Sequence, residues 1–211
     1  MALSQAAFRF GIDVTSEAGH GWHADQDTDV TFLPATTFLL RFRVQASGGV
    51  AHNNIDYQLQ YNLNSAGWNN ITTSSAVARA VNAVCYANGD NCTQRLTGGT
   101  GTFETSASGC TEDGTSGGTT NDIVANGCSE TECAIQIQSA NVVIGDTVQF
   151  RLLQEGAVLD TYAVTPSLTV TSLTITLDSG NAQWAGSDIA AFPVAPQLDT
   201  AGVTAVGSDI T

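Results

Sequence analysis

The chain is 211 residues long, has a net charge of −14 and contains 12% charged residues, about half the share usual for a soluble domain. Such an acidic surface repels phosphate backbones, which argues against a nucleic-acid partner. No apolar stretch approaches the roughly 20 residues of a membrane-spanning helix, and the sequence does not open on a secretory signal pattern, so we expect no membrane partner.

The residues that fill the polar positions favour strands over helices. Lysine is absent, and Thr, Ser, Asn, Gln and Gly take its place. These residues suit strands and turns, whereas helix-rich domains cover their polar faces with Lys, Glu and Arg. The composition therefore predicts an all-β domain.

Several segments alternate apolar and polar residues with a period of two, which predicts strands with one buried face. In chain order, these segments are 7–12, 38–44, 55–61, 134–138, 147–152, 159–164 and 166–177. In 38–44, the predicted core face begins at Phe38, and the opposite face carries Leu39, Arg41 and Arg43.

The connections between these strands differ in character. After Tyr61, the pattern predicts a hairpin in which Trp68 closes back onto the core. Residues 75–84 fit a helix or a strand, and we favour a strand. Residues 98–127 are rich in Gly, Thr and Ser, which predicts long loops around one or two short strands.

Roughly ten short strands with turn signals predict one β-sandwich over residues 1–177, either immunoglobulin-like or jelly-roll. The sequence leaves both topologies open. Residues 178–211 are too poor in apolar residues for a core of their own and too apolar for a free linker. We expect them to form an extended C-terminal arm that lies on its own domain or on a neighbouring subunit. The subunit-interface candidates in the arm are Trp184, Ile189, Phe192, Val194 and Leu198.

The five cysteines are close together in the sequence, and their odd number excludes full pairing within one chain. Cys85 and Cys92 flank an Asn-Gly turn signal. We predict that these two lie on neighbouring strand ends, close enough for a disulfide. Reduced cysteines buried as small apolar side chains are the alternative. The other three are Cys110, Cys128 and Cys133.

Motifs for catalysis and metal binding are missing from the sequence. It has no nucleophile elbow, phosphate-binding loop or dinucleotide fingerprint. Residues 20–29 hold two histidines and three acids, but Val30 and Thr36 occupy the positions where a calcium loop needs Gly and Glu. The histidines are far from the cysteines, which argues against a zinc site. We interpret 20–29 as a polar loop and expect no catalytic residues, no metal and no cofactor.

Three segments of the predicted scaffold carry a further pattern. They are YQLQY at 57–61 with Trp68, NGD at 88–90 with TQRLTGGTGTF at 93–103, and QIQSAN at 136–141 with GDTVQFR at 145–151 and LDTYAVTP at 159–166. Together they resemble a β-sandwich family of structural proteins of tailed bacteriophages, over about residues 8–170. The chain departs from that family in its cysteines and its arm. The resemblance implies a role on the virion surface or in the tail.

These observations predict a non-enzymatic virion structural protein, either a capsid decoration protein or a tail or fibre component. The expected partners are other virion proteins and copies of the chain in a homo-oligomer, and the expected location is the virion, assembled in the host cytoplasm. A cell-surface adhesion module or extracellular filament subunit with an immunoglobulin-like fold is the alternative, which the cysteines would suit. A carbohydrate-binding module is a third, in which Trp22, Trp68 and Trp184 would stack on sugars.

Overall fold

The structure is a computed structural model, and it describes residues 2–104, 109–114 and 121–172. These ranges belong to the first of two units, Met1–Leu173. The predicted arm, 178–211, and the predicted boundary before it lie outside the described residues. So do the predicted interface residues Trp184, Ile189, Phe192, Val194 and Leu198.

The described part of the chain is almost entirely β-structure, as predicted. Its helical content is one 3-10 turn, Ser139–Asn141, and no helix in it has the length and hydropathy needed to span a membrane. The strands in chain order are β1 (Ala2–Gly11), β2 (Val30–Phe32), β3 (Thr37–Ser47), β4 (His52–Ile55), β5 (Tyr57–Leu63), β6 (Trp68–Asn70), β7 (Ala78–Ala80), β8 (Cys110–Thr111), β9 (Asn121–Ile123), β10 (Cys128–Ile137), β11 (Thr147–Gln154), β12 (Ala157–Val158), β13 (Thr161–Tyr162) and β14 (Ser167–Val170).

Two six-stranded sheets share one core, which confirms the predicted β-sandwich. The first sheet has the order β13-β1-β3-β10-β7, and β8 pairs with β10. The second has the order β2-β14-β11-β5-β6, and β12 pairs with β11. The long pairings are antiparallel, whereas β1 with β13, β8 with β10 and β14 with β2 are parallel. Strands β4 and β9 form a small separate pair.

The core lies between the two sheets and follows the predicted alternation. Phe38 in β3 and Phe150 in β11 are fully buried and meet with their ring centres 6.1 Å apart. The predicted inward residues of β5, beginning with Tyr57 and Leu59, are also buried. Period-two alternation is therefore enough to identify the core face of these strands.

The prediction of only one buried face is wrong for β3. On the side away from the core, Leu39 and Arg41 are 0% exposed and Arg43 is 4% exposed. The neighbouring strand β10 also begins at Cys128, well before the predicted strand at 134–138. Chain segments outside the strands cover this outer face of the first sheet, and the candidate site lies beneath them.

The hairpin from β5 to β6 is confirmed, but Trp68 does not close onto the core. Its side chain is half-buried, and the Cζ atom of Arg151 lies 4.2 Å from the ring centre. Arg151 also donates from Nε to Oε1 of Gln60 at 2.9 Å. Trp68 therefore packs on the outer side of the second sheet, because both partners alternate with core-facing residues.

Candidate functional site

The outer face of the first sheet carries a buried ionic cluster. The pairing of β3 with β10 places Arg41 opposite Glu132 and Arg43 opposite Glu130. The side chains of Arg41, Glu130 and Glu132 are 0% exposed, although charged side chains are almost never fully buried unless they are paired. We call this group the arginine–glutamate cluster. Its members are Glu17, His20, Arg41, Arg95, Glu130 and Glu132.

Arg41 is the centre of the cluster and contacts three carboxylates. Its Nε donates to Oε2 of Glu132 at 2.6 Å, and its Nη1 donates to Oε2 of Glu130 at 3.1 Å. Its Nη2 donates to Glu17, and Nη1 also reaches the carbonyl oxygen of Thr93 at 2.7 Å. Charge-assisted bonds of this kind are the strong ones in proteins, and here they satisfy the guanidinium on every side.

The remaining members connect this centre to the chain that covers it. Glu130 accepts the backbone N–H groups of Arg95 at 3.0 Å and Leu96 at 2.8 Å. Arg95 in turn donates to the carbonyl oxygens of Glu17 at 2.8 Å and His20 at 2.6 Å. The cluster therefore binds two separate loops to the face of the sheet.

His20 is inserted beside Glu132, and each of its ring nitrogens lies near an oxygen atom. Nε2 lies 3.1 Å from Oε1 of Glu132, and Nδ1 lies 3.0 Å from the carbonyl oxygen of Gly21. Gly11 makes room for the ring, since a Cβ there would lie 2.8 Å from Cε1 of His20.

Burial and pairing move the pKa values of these groups in different directions. Burial alone would raise the pKa of Glu132, but Arg41 and His20 outweigh it and hold the pKa below its ordinary value of 4.5. For Glu130, burial prevails over Arg41 and the two backbone N–H groups, and its pKa is raised. Burial disfavours the charge of Arg41, yet the surrounding carboxylates keep its pKa well above the ordinary value.

Side chains on the outer face of β3 bind residues 93–100, which we call the cover segment. Three alternate side chains of β3 each contact a backbone carbonyl of this segment through a side-chain nitrogen. The pairs are Arg41 with Thr93, Arg43 with Thr97 and Gln45 with Thr100. The polar face of the strand is therefore buried because the cover segment lies on it.

Trp22 closes the other side of the cluster. The Cζ atoms of Arg95 and Arg9 lie 4.3 and 4.8 Å from the centre of its ring. Such cation–π contacts stabilise both partners when they are desolvated. Trp22 therefore has two arginine partners within the chain.

The acids of the polar loop 20–29 do not converge on a common point. Each has a partner of its own: Asp25 pairs with Arg9, Asp27 accepts the N–H of Phe8, and Asp29 accepts the N–H of Ser167. These are contacts that fix a loop to a scaffold. They agree with the interpretation of 20–29 as a polar loop.

The five cysteines are all buried thiols, and the predicted bond between Cys85 and Cys92 is not formed in this structure. Sγ of Cys92 instead lies 2.9 Å from Sγ of Cys110. After the Asn-Gly turn, Asn91 forms an isolated antiparallel bridge with Gly109, the residue before β8. A bond between Cys85 and Cys92 stays a prediction.

One group of described residues has donor atoms close enough to share a metal ion: Glu17, Cys92 and Cys110, within 4.8 Å of one another. Glu17 is already engaged, because its carboxylate accepts the N–H of Thr93 at 3.0 Å and also binds Arg41. The carboxylate of this group is therefore shared with Arg41 and the backbone at Thr93.

The sequence did contain a signal for the cluster, which our prediction missed. Arg41 and Arg43 are two residues apart, as are Glu130 and Glu132. Opposite charges at matching spacing on two strands are typical of neighbours in a sheet. The signal was lost because 128–133 was not assigned to a strand.

Comparisons with protein-family models, with curated proteins and with solved structures found no match for this chain. The resemblance to phage structural proteins proposed from the sequence therefore depends on the three sequence segments alone. In the structure, 57–61 lies in β5 and 145–151 overlaps β11, and these strands are hydrogen-bonded neighbours. Parts of 136–141 and 159–166 lie in β10 and β13 of the first sheet, and 93–103 includes the cover segment.

Proposed function

We propose that this chain is a non-enzymatic structural protein of a virion, as a capsid decoration protein or a tail or fibre component of a tailed bacteriophage. The observation that carries the proposal is that the arginine–glutamate cluster connects parts of the chain to one another. Its charged groups bind backbone N–H and carbonyl groups of loops and one another. Ionisable side chains of the kind found in active sites therefore serve here to fix loops to the sheet.

The burial of the cluster supports a structural role in a second way. An acid–base catalyst must reach a substrate proton within hydrogen-bonding distance. The side chains of His20 and Glu132 are 0% exposed, and both ring nitrogens of His20 already face oxygen atoms. A rigid, acidic sandwich with its polar interior closed to solvent suits a subunit that must survive outside a cell.

The arm supplies the expected means of assembly. The arm contains five large apolar side chains that a partner surface could bury: Trp184, Ile189, Phe192, Val194 and Leu198. Its other residues are mostly small, so packing on its own domain would bury too little apolar area to offset the entropy cost of ordering the chain. We propose that residues 178–211 pack on another copy of the chain or on a capsid or tail subunit, in a homo-oligomer or a mixed assembly.

Localisation on purified particles tests the proposal directly. An antibody raised against the recombinant chain would be applied with gold label to density-gradient fractions of the source, and these would be imaged in negative stain. We expect label on the heads or tails of particles. The control is antibody absorbed beforehand with the pure chain. Label confined to soluble protein would contradict the proposal.

The contact between Cys92 and Cys110 favours the second candidate, a cell-surface adhesion module or extracellular filament subunit. Disulfides persist in oxidising surroundings outside the cell. In the same images, this candidate predicts label on cell surfaces or on filaments. The two proposals are therefore separated by one experiment.

A further inference from the structure

Cys92 and Cys110 are a pair of buried sulfurs in direct contact. Their side chains belong to residues that are 1% and 0% exposed, and the Sγ atoms lie 2.9 Å apart. Carbon atoms in contact are about 3.5–4.0 Å apart, and sulfur is larger than carbon. Two sulfurs at this distance are closer than an ordinary non-bonded contact.

The backbone of Cys110 is held by hydrogen bonds. The N–H of Cys110 donates to the carbonyl of Asp90 at 2.7 Å, and its carbonyl accepts the N–H of Gly89 at 2.9 Å. On its other side, Cys110 pairs with Glu132 in β10. A bond of about 2.05 Å needs the sulfurs to approach by only about 0.9 Å, which small side-chain rotations supply.

We propose that Cys92 and Cys110 form a disulfide when the protein meets a low-molecular-weight disulfide such as oxidised glutathione. A thiolate of the pair attacks one sulfur of the oxidant and releases one reduced glutathione. The second cysteine loses its proton and attacks the mixed disulfide, which releases the second glutathione. Two protons and two electrons leave the protein, and one S–S bond forms.

The position of the bond gives it a structural consequence. Cys92 directly precedes the cover segment 93–100, and Cys110 lies in β8, which is paired with β10. The bond would therefore join the start of the cover segment to the strand that carries Glu130 and Glu132. It would close the cover over the arginine–glutamate cluster covalently.

A metal ion is the competing explanation for two sulfurs beside Glu17, and the distance argues against it. Two thiolates on one tetrahedral zinc ion, each about 2.3 Å from the metal, are about 3.8 Å apart. The observed 2.9 Å is too short for an ion between them. Arg41 also binds the same carboxylate, and its positive charge opposes a cation there.

The thiols are protected in the folded protein, so the bond is expected to form during folding or local opening. Hydrogen bonding to Cys92, together with burial, raises the pKa of the Cys110 thiol. Burial raises the pKa of Cys85 to about 12. Exchange in the native state should be slow, because the thiolate is the reacting form.

Refolding with peptide mapping tests the proposal. The reduced, unfolded full chain would be refolded in a mixture of reduced and oxidised glutathione, alkylated, and digested with trypsin and a protease that cleaves after Asp and Glu. This digestion places each of the five cysteines on its own peptide. We expect a link between 91–95 and 105–112. A predominant link between 80–90 and 91–95, or no link, would overturn the proposal.

Stability measurements on variants provide an independent check. Oxidised wild-type protein should melt about 5–10 °C above the reduced form. Cys92→Ala and Cys110→Ala should abolish this difference, whereas Cys85→Ala, the matched buried control, should keep it. A difference that survives in Cys110→Ala would contradict the proposal. So would stoichiometric zinc in the reduced protein that is lost in Cys92→Ala.

Discussion

The guanidinium Nε of Arg41 donates to Oε2 of Glu132 at 2.6 Å, and neither side chain is exposed to solvent. Burying such an ion pair removes both charges from water, which costs free energy. The net contribution of the pair to stability can therefore be small. Removing one partner is different, because the other charge is then left buried without compensation.

Arg41→Met should therefore destabilise the fold by about 3–5 kcal/mol, since it leaves the carboxylates around it unpaired. Urea unfolding followed by tryptophan fluorescence measures this. The matched control is Arg9→Met, whose ion-pair partner Asp25 has a 96% exposed side chain. We expect the control to cost less, because its ion pair is exposed and only the contacts of Arg9 with Trp22 and the Ala24 carbonyl are lost with it. Equal costs for the two variants would show that burial of the pair is unimportant.

Glu132 and Glu130 should respond to pH in opposite ways. The pKa of Glu132 is below its ordinary value of 4.5, so its contribution is present above that pH and is lost as the pH falls through the lowered pKa. The pKa of Glu130 is raised. The folded state then binds this proton more readily than the unfolded state does, and the contribution of Glu130 declines as the pH rises.

Comparing each glutamate with its glutamine variant separates these effects. From about pH 5.5 to pH 3, the stability of wild type relative to Glu132→Gln should shrink, whereas its stability relative to Glu130→Gln should grow. Denaturant midpoints at several pH values give both curves. Parallel curves for the two variants would contradict the assignment.

Gly11→Ala should displace the His20 ring from the cluster. The added Cβ would lie 2.8 Å from Cε1 of His20 and 3.1 Å from Cβ of Leu39, both in a packed interior. Overpacking of this kind costs about 1–3 kcal/mol. In the control Gly21→Ala, the nearest atom is the mobile end of Ile12 at 3.3 Å, and we expect a smaller loss. Thermal unfolding of the three proteins provides the comparison.

Deleting residues 179–211 should leave a folded sandwich that no longer assembles. Burying each large apolar side chain of the arm is worth about 1.5–3 kcal/mol, but ordering its backbone costs about 1 kcal/mol or more per residue. A partner surface is therefore needed for a net gain. Light scattering after size exclusion reports assembly, and circular dichroism reports the fold. The full-length control Phe192→Ser should weaken assembly partially. Unchanged assembly in the truncated chain would refute the prediction.

The core of the sandwich was predictable from the sequence, because alternation alone identifies the inward residues of a strand. Phe38, Leu59 and Phe150 are examples, and all three are buried. The second buried layer was not predicted. Polar residues on the alternate positions of β3 indicate a solvated face unless the opposing charges on β10 are recognised, and that recognition requires the pairing of strands far apart in the sequence.

The cysteine contact shows the same limit at close range. A turn between Cys85 and Cys92 suggested that the chain folds back on itself there. The isolated bridge between Asn91 and Gly109 places Cys92 beside Cys110, a contact that the turn signal did not predict. Local turn signals predict that the chain reverses, but the partner of the returning strand is decided by hydrogen bonds across the fold.

The side chains of β3 hold the cover segment through carbonyl oxygens, as in the contact of Arg43 with Thr97. Every residue has the same backbone carbonyl, so these hydrogen bonds depend little on which amino acids occupy the cover segment. The exposed side chains of the cover segment, such as those of Gln94 and Thr100, are therefore comparatively free to diverge, whereas Arg95 and the buried Leu96 are not. A rigid β-sandwich that accepts new surface chemistry at one anchored loop has the properties of a display scaffold.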